Sequence, residues 1–478
     1  MKSLKQYIPF VIAFALFMET LDATIISTAI PKIAVNLHTS PISLKVALTS
    51  YLLSLAIFIP ISGWFADRFG TKKVFISALS IFTFGSLLCG LAINLETLVL
   101  ARIVQGIGGA LMMPVGRLIM LKSFPKAELV KVTNYVTIPS LIGPALGPVL
   151  GGIIVSYISW RWIFIVNIPF GIAGIVFALK VLTDYFNNKV NKLDIIGFLL
   201  FGIGLAGFAF AFESIGENSL DHQLVFSVIS TSLGILLIYF VRSCYIKYPF
   251  LDFSVFKIRT FRITVLGSFL SRCGIGGMPF LLPLFFQLSL GKSPMYSGLL
   301  LLPYAIAMLI MKFLVKKSLK LFGFKNLLVA NTFFLGVSIL VFSLITVSVP
   351  IELLIIIIFI HGLLTSMQFS CMNVLSYVDL TDDNVSKGTS IASAIQQLSM
   401  SFGIAIAAIT LRYLLGNNSN TFDIQTRVFH ETFLVVGLIT VLTTLVFIFL
   451  KKNDGEEASK YKRKSTPSTL MTTAESKQ

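Results

Sequence analysis

The chain has 478 residues, of which 56% are hydrophobic and 12% are charged, and its mean hydropathy is +0.89. Because soluble domains carry about 25% charged residues, this composition excludes an ordinary soluble protein and indicates a membrane protein. The formal net charge of +17 fits either a surface for nucleic acid or basic loops along one face of a membrane. The positions of the basic residues decide between the two.

Apolar runs of about 20 residues, the length that crosses a bilayer as a helix, recur from one end of the chain to the other. They lack the period-2 alternation of barrel strands, so we predict an all-α polytopic membrane protein. The runs predict about fourteen spans, at residues 7–30, 46–66, 74–95, 97–121, 131–157, 161–183, 194–213, 223–245, 261–290, 294–315, 324–346, 350–377, 388–415 and 428–450.

The lysines and arginines fall mainly in the N-terminal tail, in the even-numbered loops and after the last span. Short cytoplasmic loops carry such an excess, so we predict that both termini are cytoplasmic and that the protein binds no nucleic acid. The chain is then a multi-pass protein of the cell (inner or plasma) membrane, surrounded by the lipid bilayer, and we expect a monomer. Its polar last segment, 451–478, is predicted to be a disordered cytoplasmic tail.

The first span contains two carboxylates, in the stretch "FMETLDATIISTAIP". A charge at the centre of a bilayer costs at least about 2.5–3.5 kcal/mol, so Glu19 and Asp22 should face the protein interior or an aqueous cavity. With a rise of about 1.5 Å per residue, Asp22 lies level with Arg102 in the fourth span, and Glu19 lies level with Arg272 in the ninth. We predict Asp22 and Arg102 as the proton-coupling pair, with a purely structural ion pair as the alternative.

Other polar groups within the spans are candidates for a substrate cavity. Glu19 and Arg272 together suggest a zwitterionic substrate, or one that competes with an internal ion pair. Gln105 and His361 are further candidates, although a hydrogen-bonded packing role is the alternative for His361. The four cysteines have no metal-like spacing and no nucleophile–base arrangement accompanies the histidines. We therefore expect no metal site, no catalytic residues and no enzyme activity.

The loop after the second span has the form G-x-x-x-D-R-x-G-x-K-K, in "GWFADRFGTKK". Its first glycine allows helices to approach closely, its second permits a turn with positive φ, and its acid can bind a helix end or an arginine. Arg117, near the inner end of the fourth span, is the expected brace of that acid, with a contact to the substrate as the alternative. We predict a cytoplasmic gating loop formed by Gly63, Asp67, Arg68, Gly70, Lys72 and Lys73.

A glycine- and proline-rich stretch, "GPALGPVLGG", lies in the fifth span. Each proline removes a helix hydrogen bond, and the glycines form strips that allow another helix to pack closely. We expect a bent and tightly packed span. The residues that form this motif are Gly143, Pro144, Gly147, Pro148, Gly151 and Gly152.

Two alignments within the chain indicate an internal repeat. The stretch around Gln105 in the fourth span lies over the stretch around His361 in the twelfth, and Gly70 lies over Gly323 in the loop after the tenth. Lys320 replaces the acid in that second loop, so a latch built on the acid is one-sided. We predict an N-terminal six-helix half at 1–183, a linker with two extra transmembrane helices at 184–256, and a C-terminal six-helix half at 257–450.

These motifs resemble those of the major facilitator superfamily. The loop motif is similar to the family signature, "LVLARIVQGIGGA" resembles the fourth-helix motif with its buried arginine, here Arg102, and "GPALGPVLGG" resembles the fifth-helix antiporter motif. "LDATIISTAIP" and "WRWIFIVNIP" resemble the 14-helix drug:proton antiporter branch, and within it the MdtD-like multidrug transporters. Glu19 is not a residue expected in the first-helix motif.

The resemblance implies the major facilitator fold and a proton-coupled secondary active exporter of amphipathic drugs or other toxic small molecules, which works by alternating access. Protons and a small-molecule substrate would be its partners, and no cofactor is implied because the proton gradient drives transport. The resemblance also adds a hinge or leak-sealing role for the fifth-span motif to the packing role. The alternative is an exporter of an endogenous metabolite or siderophore, including an anionic one, or an importer. A membrane enzyme or a channel is not favoured.

Overall fold

The computed structural model describes residues 5–186, 190, 192–215, 222–416, 426–451 and 453–456. Over these residues its regular elements are helices. Thirteen helical segments are long and apolar enough to cross a membrane. The longest, Pro294–Leu344, is divided at Gly323, where φ is 71°. It therefore supplies two spans, and the described residues form the fourteen spans that were predicted.

The spans are numbered here in chain order. They are Ile8–Thr28 (span 1), Lys45–Phe69 (2), Thr71–Gly90 (3), Leu95–Ser123 (4), Lys126–Tyr157 (5), Trp162–Val181 (6), Ile195–Ser214 (7), His222–Tyr245 (8), Arg259–Ser289 (9), the two parts of Pro294–Leu344 on either side of Gly323 (10 and 11), Ile351–Leu375 (12), Asp382–Leu415 (13) and Thr426–Ile448 (14).

Spans 5 and 9 both contain prolines, but only span 5 is a continuous helix. Span 5 is one continuous helix although it contains three prolines. Span 9 consists of the helices Arg259–Ile275 and Met278–Leu284, followed by a π-helical turn at Phe285–Ser289. Pro279 and Pro283 lie in its second part and supply no backbone N–H, so regular hydrogen bonding cannot continue through them.

Spans 1–6 and spans 9–14 form two six-helix halves. In the first half, span 1 packs on span 5 and span 3 packs on span 4. In the second half, spans 12 and 14 both pack on the helical segment that contains spans 10 and 11. The halves meet along two seams, where span 2 packs on span 13 and where span 5 packs on the start of span 10.

The chain enters span 1 and leaves span 14 at one end of the bundle, which we call the terminal end. Because successive spans alternate in direction, the loops at Gly70 and Gly323 lie at this end too. Lys325, just past Gly323, donates a 2.7 Å hydrogen bond to the carbonyl oxygen of Ile448, where span 14 ends. The other end of the bundle is called the opposite end.

The two halves are in contact at the opposite end and apart at the terminal end. At the opposite end a single apolar core contains residues of both halves, among them Ile25 of span 1, Ala29 just past it, and Met278 and Leu300 of the second half. Toward the terminal end the apolar cores are separate, one within spans 1–6 and another within spans 9–14. A space between the halves therefore opens toward the terminal end.

Spans 7 and 8 lie beside the seam between spans 2 and 13 and contact both halves. Lys45, fully buried at the start of span 2, donates a 2.8 Å hydrogen bond to the carbonyl oxygen of Glu213 near the end of span 7. Phe402 of span 13 packs edge-on against Phe212 of span 7, with 5.2 Å between the ring centroids. The inserted pair therefore bridges the halves along this seam.

Three predictions about organisation remain predictions. These are the domain boundaries at 183/184 and 256/257, the cytoplasmic location of the termini, and the disorder of the tail. Most of the tail, residues 452 and 457–478, lies outside the described residues.

Candidate functional site

Asp22 lies at the centre of a buried polar network inside spans 1–6, and its side chain has no exposed surface. One carboxylate oxygen, Oδ2, lies 2.6 Å from Nη1 of Arg102. The other, Oδ1, accepts hydrogen bonds from Gln105 at 2.9 Å and from Asn167 at 2.6 Å. The predicted proximity of Asp22 and Arg102 is therefore found, and further donors from spans 4 and 6 complete the coordination of the acid.

A second set of hydrogen bonds orients the groups that hold Asp22. Arg102 also donates to Oε1 of Gln105 at 2.7 Å, and Nε2 of Gln105 donates to Oγ of Ser86 at 2.6 Å. Because a guanidinium group can only donate, it fixes the oxygen end of the Gln105 amide and turns the NH2 end toward Asp22. An ionised carboxylate can only accept, so the network as oriented suits a charged Asp22.

Arg102 is 1% exposed and is held by backbone and aromatic contacts as well as by Asp22. Its Nε donates to the carbonyl oxygen of Ala47 at 3.2 Å, and its guanidinium carbon lies 4.2 Å from the ring centroid of Tyr51. A buried ion pair is tolerated when such additional contacts satisfy its remaining donors. The charge of Asp22 is thus coupled to the packing of spans 1, 2 and 4.

Two residues of this network change the predicted site. Gln105 was expected in the substrate cavity, but it is fully buried beside Asp22 and positions that acid. The reason is its angle on span 4, since Gln105 follows Arg102 by three residues and shares its helix face. Asn167 was not predicted as a site residue. Its signal in the sequence is an amide inside the apolar run "WRWIFIVNIP".

The second half repeats the packing around this network. The carbonyl oxygen of Tyr51 in span 2 faces Gly106 in span 4, where a Cβ atom would lie 2.8 Å from it. The carbonyl oxygen of Tyr304 in span 10 faces Gly362 in span 12, where the corresponding distance would be 2.5 Å. The internal repeat read from the sequence therefore places equivalent close helix contacts in both halves.

His361 occupies the place in the second half that Gln105 occupies in the first. It is fully buried, its Nδ1 lies 2.9 Å from Oγ of Ser338, and its ring stacks on that of Tyr304 at 5.8 Å. The contacts described for its ring are one hydroxyl group and the aromatic rings of Tyr304 and Phe342, with no carboxylate. The placement of His361 in the substrate cavity is therefore corrected to the packing role, because Tyr304 stands between its ring and the cavity.

A cavity of about 280 Å³ lies between the two halves. Spans 1 and 5 supply its wall on one side, and spans 9, 10, 12 and 13 supply it on the other. The wall is almost entirely apolar. Its described lining is Thr24, Ser27, Leu141, Pro144, Ala145, Pro148, Met278, Pro279, Leu282, Leu301, Tyr304, Ala305, Met308, Leu309, Lys312, Phe369 and Met400.

Lys312 is a cation of the cavity wall that the sequence reading missed. Span 10 was predicted to end at 315, which placed Lys312 beside the basic loop. The helix instead continues to Gly323, so Lys312 lies about 16 Å before that break. Among the described residues its ammonium group has no ion-pair or hydrogen-bond partner. The available signal was the apolar sequence on both sides of it, "YAIAMLIMKFLV".

Glu19 and Arg272 belong to different halves and are not paired with each other. Arg272 is 3% exposed, its Nη2 lies 3.4 Å from Oδ1 of Asn373, and its guanidinium carbon lies 4.9 Å from the ring centroid of Phe369. Phe369 lines the cavity, so Arg272 stands directly behind the wall. Glu19 is half-buried, and within the described chain its Oε2 has no hydrogen-bond partner. The substrate role predicted for both remains a prediction.

Arg117 lies near the mouth of this space and not at the loop after span 2. Burial raises the pKa of Tyr377, just past span 12, and the guanidinium groups of Arg117 and Arg272 oppose that rise, so both lie near this tyrosine. The expectation that Arg117 braces Asp67 is wrong. Asp67 pairs with Lys122 at 3.5 Å, because Lys122 lies about 7.5 Å nearer the terminal end along span 4.

The loop after span 2 turns at Gly70 with φ 95°, as predicted. A segment past span 6 holds this turn. Asp184 accepts a 3.0 Å hydrogen bond from the backbone N–H of Lys72, where it stabilises the positive N-terminal end of span 3. Lys73 lies 5.9 Å from the ring centroid of Phe186. Neither Asp184 nor Phe186 was singled out in the sequence, because both belong to an irregular segment.

Gly63 does not bring helices together in this structure, which corrects the expectation for it. It is exposed, and among the described residues a Cβ atom there would meet nothing within 4 Å. Arg68 is exposed as well. Both lie near the terminal end, where the halves are apart, so no helix of the described chain faces Gly63.

The glycines of span 5 pack closely, as predicted. The facing atoms belong to span 1, and a Cβ atom would overlap Oγ1 of Thr20 at Gly143, Oγ1 of Thr24 at Gly147 and the carbonyl oxygen of Ile25 at Gly151. Gly152 instead faces the carbonyl oxygen of Pro294 at the start of span 10. The motif therefore packs within the first half and across a seam, and its hinge or sealing role remains a prediction.

Within the described ranges no three His, Cys, Asp or Glu residues lie close enough together to bind a metal ion. Cys89, Cys273 and Cys371 are buried, Cys244 is exposed, and all four are free thiols.

Similarity to known proteins extends over almost the whole chain. The sequence profile of the Major Facilitator Superfamily matches residues 12–403 and 264–475. A protein of Serratia proteamaculans that bears the name multidrug resistance protein MdtD is 39% identical over 85% of this chain and 85% of its own length. A protein of the same name from Klebsiella pneumoniae is 37% identical over 91% of this chain and 93% of its own length.

Solved structures share the arrangement of helices. A D-xylose–proton symporter superposes with a TM-score of 0.67 at 16% identity, over 94% of this chain and 98% of its own. A bacterial homologue of the human lysosomal transporter Spinster, in an inward-facing and unoccupied conformation, gives a TM-score of 0.66 at 14% identity, over 94% and 97%. At these identities the structures establish a common fold.

Proposed function

Because this chain belongs to the major facilitator superfamily, we propose that it is a proton-coupled antiporter that exports amphipathic small molecules from the cell. Membership makes the chain a multi-pass membrane transporter with the major facilitator fold, and not an enzyme. The proposal adds the proton as the coupling ion, the outward direction, and the inner or plasma membrane as its location. We also propose that the transporter is a monomer and that it needs no cofactor, because the proton gradient drives transport.

The observation that carries the proposal is the set of donors around Asp22. Three side chains from spans 4 and 6 donate to one fully buried carboxylate. Donors to the charged form of an acid lower its affinity for protons, whereas burial without them raises it. A movement of span 1 relative to spans 4 and 6 would therefore change the proton affinity of Asp22, and the acid would load a proton in one state and release it in the other.

Alternating access supplies such a movement. With the termini in the cytoplasm, the terminal end faces the cytoplasm and the present state is open inward. Rocking of the halves would separate Gly152 from Pro294 at the opposite end. At the terminal end it would bring the surface of span 2 around Gly63 against the second half. Relatives named as multidrug resistance proteins support export as the direction and amphipathic compounds as the cargo.

The test is transport into inverted membrane vesicles, measured across a panel of compounds with and without a pH gradient. Asp22→Asn removes the titratable group and keeps the shape. We expect it to abolish transport driven by the pH gradient while the purified protein keeps the elution volume of a folded protein. Transport at the wild-type rate would overturn the assignment of Asp22.

Asp252→Asn is the matched control, because it makes the same chemical change outside the network. Asp252 lies in the loop before span 9 and pairs with Lys387 at 2.7 Å. Partly exposed pairs of this kind contribute about 0–1 kcal/mol. This variant should transport as the wild type does.

The second candidate is a transporter of an endogenous metabolite or siderophore of acidic character, as an exporter or an importer. The cations beside the cavity, Arg272 and Lys312, favour it. Growth protection by the gene in a strain that lacks it, measured against the same panel and against acidic metabolites, would separate this candidate from a drug exporter.

A further inference from the structure

The charged groups around the central cavity are unequal in number. Lys312 is part of its wall and Arg272 stands behind Phe369 of the same wall. Arg117 lies toward its mouth, near Tyr377. Asp22 is enclosed by its own partners. The described lining contains Lys312 and no aspartate or glutamate, so the charge at this cavity is positive.

Arg272 is the most informative of the three cations. It is 3% exposed and no carboxylate of the described chain lies within ion-pair distance of it. Its polar contact is a 3.4 Å hydrogen bond to Asn373, which is long for a charge-assisted bond. A buried charge normally has a close counter-charge, because nothing else compensates for the loss of its hydration. Arg272 therefore has unused capacity for an anion.

The remaining wall of the cavity suits an apolar body. Met278, Leu282, Leu301 and Met308 line it, and methionine side chains adapt to irregular shapes. The hydroxyl groups of its wall belong to Thr24 and Ser27 of span 1 and to Tyr304 of span 10. The positive groups Arg272 and Lys312 belong to spans 9 and 10, so the positive charge lies on the side of the second half.

We propose that the cavity binds amphipathic organic acids, with the acidic group toward Arg272 and Lys312 in the second half and the apolar body between spans 1, 5 and 10. This proposal names the substrate class of the transporter proposed above and so rests on that function. Lys312 is part of the wall and can contact the acidic group directly, and the guanidinium group of Arg272, behind Phe369, adds a second positive charge on the same side.

The test uses three fluorescent probes that share one apolar body, pyrenebutyric acid, pyrenebutanol and pyrenebutylamine. Binding to the full-length protein in detergent is measured by fluorescence anisotropy, without a pH gradient and with protein-free micelles subtracted. We expect the acid to bind at least tenfold more tightly than the amine. Equal binding of the two, or tighter binding of the amine, would overturn the proposal.

Variants test whether the preference for the acid depends on Arg272 and Lys312. Arg272→Gln and Lys312→Gln should each weaken binding of the acid about tenfold or more and change binding of the alcohol less than twofold. Arg272→Lys, which keeps the charge, should retain the preference for the acid. Lys316→Gln is the matched control, because Lys316 is exposed on the same span and is not part of the cavity wall. Unchanged affinity for the acid in both glutamine variants would contradict the site.

Lys312→Gln keeps the test valid if Arg272→Gln does not fold, since Lys312 is exposed and lies at the edge of the wall. The experiments distinguish a failure of this proposal from a failure of the proposed function. Preferential binding of the acid without transport driven by a pH gradient would contradict the antiporter and leave the substrate class standing. Transport of amines driven by a pH gradient, with no preference for acids, would do the reverse.

Discussion

Asp22 of span 1 and Arg102 of span 4 form an ion pair of 2.6 Å in which neither side chain is more than 1% exposed. The pair joins two helices that are far apart in sequence, and Gln105, Asn167 and Ser86 enclose it. Asp22 is the proposed proton carrier, and Arg102 is its buried counter-charge. We therefore expect the two replacements to have different effects on transport and on stability.

Arg102→Ala should destabilise the protein, because it leaves the carboxylate of Asp22 buried without its counter-charge. Breaking a buried ion pair from one side costs about 3–5 kcal/mol. We expect a clearly lower melting temperature for the purified protein, and partial recovery in the double variant Arg102→Ala with Asp22→Asn. Arg262→Ala is the control, because Arg262 is exposed on span 9. Equal melting temperatures for Arg102→Ala and Arg262→Ala would contradict this account.

Gly147→Ala should destabilise span 5, because the new methyl group would overlap Oγ1 of Thr24. Overpacking a closely packed contact costs about 1–3 kcal/mol. Thr24→Ala in the same chain should recover part of the loss, which is measured as a shift in melting temperature. Gly63→Ala makes the same chemical change where a Cβ meets nothing within 4 Å, and its melting temperature should equal that of the wild type.

Gly70→Ala should weaken the turn after span 2 for two reasons. Its φ of 95° is a conformation that residues with a side chain rarely adopt, and a Cβ atom there would overlap Oδ1 of Asp184. Such backbone strain alone costs about 1–3 kcal/mol. Gly291→Ala separates the two causes, because Gly291 has φ 62° and open space around it. The expected order of melting temperatures is wild type, Gly291→Ala and then Gly70→Ala, and the reverse order of the two variants would disprove the overlap.

A cross-link between the halves at the opposite end should stop transport. The backbone N–H of Met295 donates to Oγ of Ser156 at 3.2 Å, across the seam between spans 5 and 10. Cysteines at these two positions, in a chain that also carries Cys244→Ser, can be joined by a short thiol-specific reagent. We expect transport in vesicles to cease on cross-linking and to return on reduction, while single-cysteine variants remain active. Undiminished transport by the cross-linked protein would exclude opening at this end.

The sequence predicted the axial level of residues better than their angular position. The rise of a helix places Asp22 level with Arg102, and the structure joins them. The depth of a residue does not determine which side of its helix it faces. Gln105 and His361 were therefore predicted to line the cavity, whereas the structure buries both of them between helices. Gly70 and Gly323 were predictable because a turn with positive φ requires glycine and leaves a local signal.

Other features depend on contacts that no local pattern encodes. Asp184 holds the loop after span 2 from a segment more than a hundred residues away. Lys122 replaces Arg117 as the partner of Asp67, because the level of a loop relative to a neighbouring helix depends on how the two pack. Gly63 has no facing helix here, since its surroundings depend on the state of the whole protein.

The inserted helices separate one seam between the halves from the lipid and leave the other seam uncovered. Spans 7 and 8 cover the seam between spans 2 and 13, whereas the cavity wall is formed in large part by spans 5 and 10, which make the other seam. A compound dissolved in the hydrocarbon can reach the cavity past spans 5 and 10 without crossing two extra helices. Lateral entry from the membrane, as distinct from entry from water, is therefore expected on that flank alone.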